Sequence, residues 1–128
     1  MKKNIVFIPN INLGNGRNTP YHYSIKSWQA WCDKNNVLCI EWTEPITDID
    51  KFKVTLQRYW VHDILSNSDI DYDQVLIVDA DTIIHPDTPN FFEETDGKFC
   101  VVVNNGCYEW TTRSIKNWGD ALFPTESK

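Results

Sequence analysis

No apolar run in this 128-residue chain approaches the ~20 residues needed to cross a bilayer, so no membrane partner is expected. Positive charge is scarce. Twelve Lys and Arg stand against 18 Asp and Glu, a formal charge of −6, and duplex nucleic acid is excluded because phosphate binding needs a basic field. A nucleotide stays compatible if a few cations, or a metal, are placed locally. Cys32, Cys39, Cys100 and Cys107 form no CxxC pair, which removes the main support for zinc. Cys32, Cys39 and Cys100 fall inside apolar patterns and read as small core hydrophobes, with a Cys32–Cys39 disulfide as the minor alternative. Met1-Lys2-Lys3-Asn4 runs directly into a strand-like segment with no signal-peptide h-region, so a cytoplasmic location is expected. There is no internal repeat and no low-complexity tract.

What is present is enough for one core. A hydrophobic fraction of 41%, with six Trp, five Tyr and six Phe, argues against disorder, and the length suits a single domain over 1–128. "NIVFIP" (Asn4 to Pro9), "VLCIEW" (Val37 to Trp42), "QVLIVD" (Gln74 to Asp79) and "FCVVV" (Phe99 to Val103) read as four strands. Helical patterns span Tyr21 to Lys34, with Ile25, Trp28, Trp31 and Cys32 on the buried side, and Lys51 to Ser66, with Asp50 as N-cap. A short helix is expected from Trp110 to Leu122. Strands alternating with helices predict an α/β, Rossmann-like domain with a mainly parallel sheet of about four strands. Ligands collect at the carboxyl ends of such strands, where the topology changes direction.

"YDQVLIVDADTII" places Asp79 and Asp81 at that edge, after a strand expected to be covered on both sides. Residues two apart in an extended chain share a side, so both carboxylates are expected to face one point. Carboxylates that close repel unless a cation lies between them, and a hard divalent ion such as Mn²⁺ or Mg²⁺ takes one or two carboxylates plus ligand phosphates. A turn that merely ends a strand is the competing reading. Arg58 lies at helical spacing from Val54, Val61 and Leu65, and a guanidinium on an apolar face either meets a ligand anion or snorkels its stem over that surface to water or a surface Asp.

"KVTLQRYWVHDIL" followed by "YDQVLIVDADTIIHPD" resembles the nucleotide-sugar-binding half of GT-A-type, DxD-containing glycosyltransferases. The resemblance implies a donor-binding domain for a UDP-sugar such as UDP-glucose. In it Asp79 and Asp81 would hold Mn²⁺ or Mg²⁺ and the ribose, and Ala80 would make a backbone contact. Arg58 would meet the phosphates or sugar, Pro9 and Asn10 would cradle the base, and Arg17 is a looser phosphate candidate. No catalytic base or third metal ligand is assigned. His22 and His62 fall in helices and His85 follows the motif closely, while Asn105 and Glu109 lie in the region to be tried. GT-A enzymes usually continue beyond the DxD through an acceptor wall. Weak donor hydrolysis is therefore expected of the isolated chain, with an oligomer or partner chain supplying the acceptor site. A non-catalytic nucleotide-sugar-binding module is the first alternative. The second is a nicotinamide-binding Rossmann domain, prompted by Gly14, Gly16 and Glu41, although Thr19 stands where the third glycine of the fingerprint belongs.

Overall fold

The computed structural model describes residues 2–101 and 108–122. Contacts divide the chain into two compact units, Met1–Lys98 and Phe99–Lys128.

In the first unit, β1 (Lys3–Pro9) leads through a 3₁₀ turn at Thr19–Tyr21 into α1 (His22–Lys34) and then β2 (Leu38–Trp42). A 3₁₀ helix at Val54–Trp60 continues into α2 (Val61–Ser66), β3 (Tyr72–Ile77) and α3 (Phe91–Thr95). The strands form one parallel sheet ordered β2-β1-β3. The α/β class and parallel sheet expected from the sequence are present, with three strands among the described residues. The fourth expected strand is absent among the described residues: Phe99, Cys100 and Val101 carry no strand and are exposed, and Val102 and Val103 lie outside the described residues. The second unit contains α4 (Tyr108–Leu122), close to the helix expected there. No helix among the described residues is long and apolar enough to cross a membrane.

The doubly covered strand is β1, not β3. Ile5, Val6, Phe7 and Ile8 are all fully buried, whereas β3 lies at the sheet edge and leaves Ile77 37% exposed. The period of two in β1 sends Val6 and Ile8 to one face and Ile5 and Phe7 to the other. On the first face they meet Ile25, Trp28, Trp31 and Cys32 of α1, as expected. On the second they meet Val61 and Leu65 of α2. Each such side chain contributes about 1.5–3 kcal/mol on burial, so the central strand anchors both layers.

α1 ends where Asn36 adopts a left-handed φ of 54° and Val37 N–H reaches back to the Cys32 carbonyl at 2.9 Å. The helix expected over Lys51–Ser66 is shorter and of two kinds. Asp50 lies in a turn built on Asp48, whose carbonyl accepts from Phe52 N–H at 2.9 Å, so Asp50 caps nothing. β-Branched Val54 and Thr55 and aromatic Tyr59 and Trp60 favour α-helix poorly, and the segment winds as 3₁₀. At three residues per turn Gln57, rather than Arg58, is the buried residue, bonded to the loop at Ile46 and Thr47.

Candidate functional site

The strand order places the change of direction between β1 and β3, and a cavity of about 220 Å³ opens at their carboxyl ends. All seven residues singled out from the sequence line it. Pro9 and Asn10 come from the end of β1, and Arg17 from the following loop. Arg58 comes from the 3₁₀ helix, and Asp79, Ala80 and Asp81 from the end of β3.

The two aspartates reach the cavity by a route different from the pleat. Val78 N–H makes the last ladder bond, to the Phe7 carbonyl at 3.1 Å. The Asp79 carbonyl then accepts from Thr82 N–H at 3.1 Å and from Thr82 Oγ1 at 2.6 Å. Asp79 to Thr82 is thus a turn with Ala80 and Asp81 at its centre, which corrects the expectation of an extended Asp79-Ala80-Asp81. Both aspartates still line one cavity, with Ala80 buried between them.

α1 fixes the segment that follows. Ser24 Oγ donates to the Thr82 carbonyl, and Trp28 Nε1 donates to the same oxygen at 3.0 Å. Ser27 Oγ accepts from Ile84 N–H at 3.2 Å, Trp31 Nε1 donates to the Thr88 carbonyl at 2.9 Å, and Lys34 Nζ reaches the Pro86 carbonyl at 2.7 Å. Spacings of three and four put these five side chains on one helix stripe. Of these residues the sequence marked Trp28 and Trp31, and for core packing alone.

Arg58 has found its anion within the chain. Nη2 lies 2.5 Å from Asp79 Oδ1, and Nε donates to the Thr55 carbonyl at 2.9 Å. The two side chains are 30% and 50% exposed, and pairs in that setting contribute about 0.2–1 kcal/mol. The pair is a weak structural bond and an accessible one.

A larger cavity, about 650 Å³, adjoins the first and shares Asn10 and Asn18 with it. Its wall includes Gly14, Gly16 and Glu41, together with His22, Ile25, Lys26 and Gln29 along one side of α1. Asn10 is held rigidly between the two cavities: Nδ2 donates to Glu41 Oε1 at 2.7 Å, and Oδ1 accepts from Asn18 Nδ2 at 2.7 Å. The Asn18 amide also donates to the Ile11 carbonyl at 2.8 Å. Gly14 and Gly16 have φ of +71° and +73°, conformations that L side chains rarely adopt. Asn12 and Asn15 close the same turns by accepting from Gly14 N–H and Arg17 N–H. The glycines therefore have a local backbone reason, independent of any dinucleotide fingerprint. Asn18 escaped the sequence reading, although four asparagines in nine residues (Asn10, Asn12, Asn15, Asn18) marked a loop built on side-chain amides.

As a metal centre the donor set is two carboxylates. Among the described residues no group of three or more His, Cys, Asp or Glu comes together. That set fits a hard divalent ion completed by ligand phosphates and water, and does not fit a cage made by protein alone. His85 turns to its own loop, where Nδ1 accepts from Asp87 N–H at 3.2 Å. His22 Nδ1 lies 3.0 Å from the Thr19 carbonyl and His62 Nδ1 3.3 Å from the Tyr72 hydroxyl. Glu109 is exposed in the first turn of α4, and Asn105 lies outside the described residues.

No family model, curated protein or solved structure significantly matches the chain.

Proposed function

We propose that this chain is the donor-binding domain of a divalent-metal-dependent glycosyltransferase, taking a nucleoside-diphosphate sugar of the UDP-glucose kind. The observation that carries the reading is the convergence of Asp79, Asp81, Arg58 and Arg17 on one cavity at the topological switch of a parallel sheet. Two carboxylates and two guanidiniums around a small space suit a diphosphate with its counterion better than they suit an apolar ligand. The adjoining larger cavity supports the same reading, because the two volumes together match a ligand longer than either. Asn10 and Glu41 would offer a nucleobase an amide and a carboxylate already fixed in orientation.

In this reading Asp79 and Asp81 hold the ion, and Arg58 and Arg17 neutralise phosphate oxygens. The bound ion would act as a Lewis acid on the leaving diphosphate. Ser24, Trp28 and Thr82 keep the aspartate turn from moving when charge is added to it. A binding module without transfer chemistry shares every one of these contacts. The nicotinamide alternative draws on one observation, the shared cavity of Gly14, Gly16 and Glu41.

Calorimetric titration with UDP, GDP and NADH, each with and without Mn²⁺, separates these readings. Heat with UDP that requires Mn²⁺ supports the donor site, and turnover of a UDP-sugar distinguishes transferase from module. Binding of NADH alone, without metal, would overturn the proposal.

A further inference from the structure

We propose that Arg58 is the resident counterion of Asp79, and that it is exchanged for a divalent cation and passes to the ligand's phosphates when the loaded nucleotide enters. This rests on the metal-and-nucleotide reading above and adds a step to it. Arg58 Nη2 sits on Asp79 Oδ1 at 2.5 Å, the same carboxylate that would face the ion. A dication and a guanidinium crowded onto one carboxylate repel each other at a separation where like charges interact strongly. Either the ion is held off Asp79 or Arg58 leaves.

The geometry favours departure. The pair lies on the wall of the cavity, not in the core, and both partners remain partly exposed. Arg58 Nε donates to the Thr55 carbonyl at 2.9 Å within its own 3₁₀ helix, so the guanidinium keeps one bond that does not involve Asp79. Thr55 itself lines the cavity, which leaves the released fork beside the space a diphosphate would fill. A planar guanidinium matches phosphate oxygens at least as well as it matches a carboxylate.

Exchange has a consequence that simple pairing does not. Arg58 opposes binding of the bare cation and favours binding of the cation together with a diphosphate. Removing its charge must then move the two affinities in opposite directions. Loss of any positive charge near the site would also strengthen cation binding through the general field, so the control is Arg17, which lines the same cavity but does not pair with Asp79.

The experiment measures Mn²⁺ uptake by water-proton relaxation, first with Mn²⁺ alone and then with UDP added. The proteins are wild type, Arg58→Met, Arg58→Gln and Arg17→Met, each checked for folding by circular dichroism. Arg58→Met should bind Mn²⁺ alone at least about fivefold more tightly, the lower end of ordinary coupling between sites. It should bind UDP in the presence of Mn²⁺ about 10- to 100-fold more weakly, as expected for a lost bond to a charged group. Arg17→Met should change Mn²⁺ binding by clearly less. Arg58→Gln should follow Arg58→Met, and it serves alone if the methionine variant does not fold. Equal shifts in Arg58→Met and Arg17→Met, or no tighter Mn²⁺ binding by Arg58→Met, overturn the exchange while leaving the metal site standing. Failure of every protein, wild type included, to take up Mn²⁺ overturns the metal reading and the exchange together.

Discussion

The two faces of the sheet are built from the same strand and are not built alike. On one face α1 runs for 13 residues, buries Trp28 and Trp31, and sends five side chains to the segment after Asp81. On the other a 3₁₀ helix and a six-residue α2 supply Val61 and Leu65, with Gln57 buried beside the loop they carry. The first face is a long amphipathic helix locked by hydrogen bonds, and the second is a short element steadied by one polar side chain. The candidate site lies at the edge common to both, and Arg58 reaches it from the second face. The rigid face therefore fixes the aspartates, and the looser face carries the cation that pairs with one of them.

The largest expected effect is the contrast in core truncations. Trp31 is 1% exposed, packs against Trp28 and Phe91 at ring separations of 6.0 and 5.4 Å, and donates to the Thr88 carbonyl. Trp31→Ala should cost toward the upper end of about 3–5 kcal/mol. Leu65→Ala, within a short helix able to settle into the gap, should cost toward the lower end of about 2–5 kcal/mol. Urea denaturation measures both, and equal costs would break the asymmetry.

Gln57 sharpens it. The side chain is fully buried, with Oε1 accepting from Ile46 N–H at 2.6 Å and Nε2 donating to the Thr47 carbonyl at 3.2 Å. Gln57→Leu keeps the bulk and leaves those backbone groups without partners, at a cost of about 1–3 kcal/mol. Amide exchange should accelerate at Ile46 and leave Trp31 unchanged. Uniform acceleration across both would mean that the loop and the core open as one.

At the shared edge, Asp79→Asn and Asp81→Asn should each abolish Mn²⁺-dependent UDP binding, yet differ without ligand. Of the two aspartates, Asp79 is the one paired with Arg58. Asp79→Asn should lose up to about 1 kcal/mol of stability, the ordinary worth of such a pair, and Asp81→Asn none. Thermal midpoints in ligand-free buffer test this, and a destabilised Asp81→Asn beside an intact Asp79→Asn would refute the assignment.

The stretches with strong periodicity were the legible ones. α1 and its buried stripe follow from the spacing of Ile25, Trp28, Trp31 and Cys32, and β1 and β2 from β-branched runs. What misled was neighbourhood. "VLIV" suggested the central strand, but burial of a strand depends on its place in the sheet, which periodicity does not carry. The 3₁₀ winding of Val54–Trp60 moved Gln57 inward and Arg58 to the rim, because a change from 3.6 to three residues per turn reassigns every face. That the seven candidate residues would share one edge was legible, because residue types and strand ends sufficed to place them there. Their bonding partners were not, since the Arg58–Asp79 and Asn10–Asn18 pairs depend on side-chain reach between elements.

The smallest effect concerns the two thiols on the rigid face. A hydrogen bond to Cys39, with burial and then nearby negative charge, pushes the Cys32 thiol far above its usual range, and the same bond lowers that of Cys39 against the opposing pull of burial. Cys32 thus stays protonated in the folded chain while its unfolded counterpart ionises near pH 8.5. A value raised on folding stabilises at low pH and loses that contribution as pH rises through and beyond the unfolded value. Cys39 has the opposite sign, gaining stability once pH exceeds its lowered folded value, and so offsets part of the loss in the wild type. In Cys39→Ala burial alone should keep Cys32 raised, and the offset is gone. Between pH 7 and 8.5 that variant should lose about 0.4 kcal/mol more than the Cys32→Ala/Cys39→Ala double variant, the amount set by half-ionisation of one unfolded thiol. Denaturation curves at the two pH values read the difference. Parallel behaviour of single and double variants would show that Cys32 titrates alike in the folded and unfolded chains, and would remove the thiol pair from what distinguishes this face.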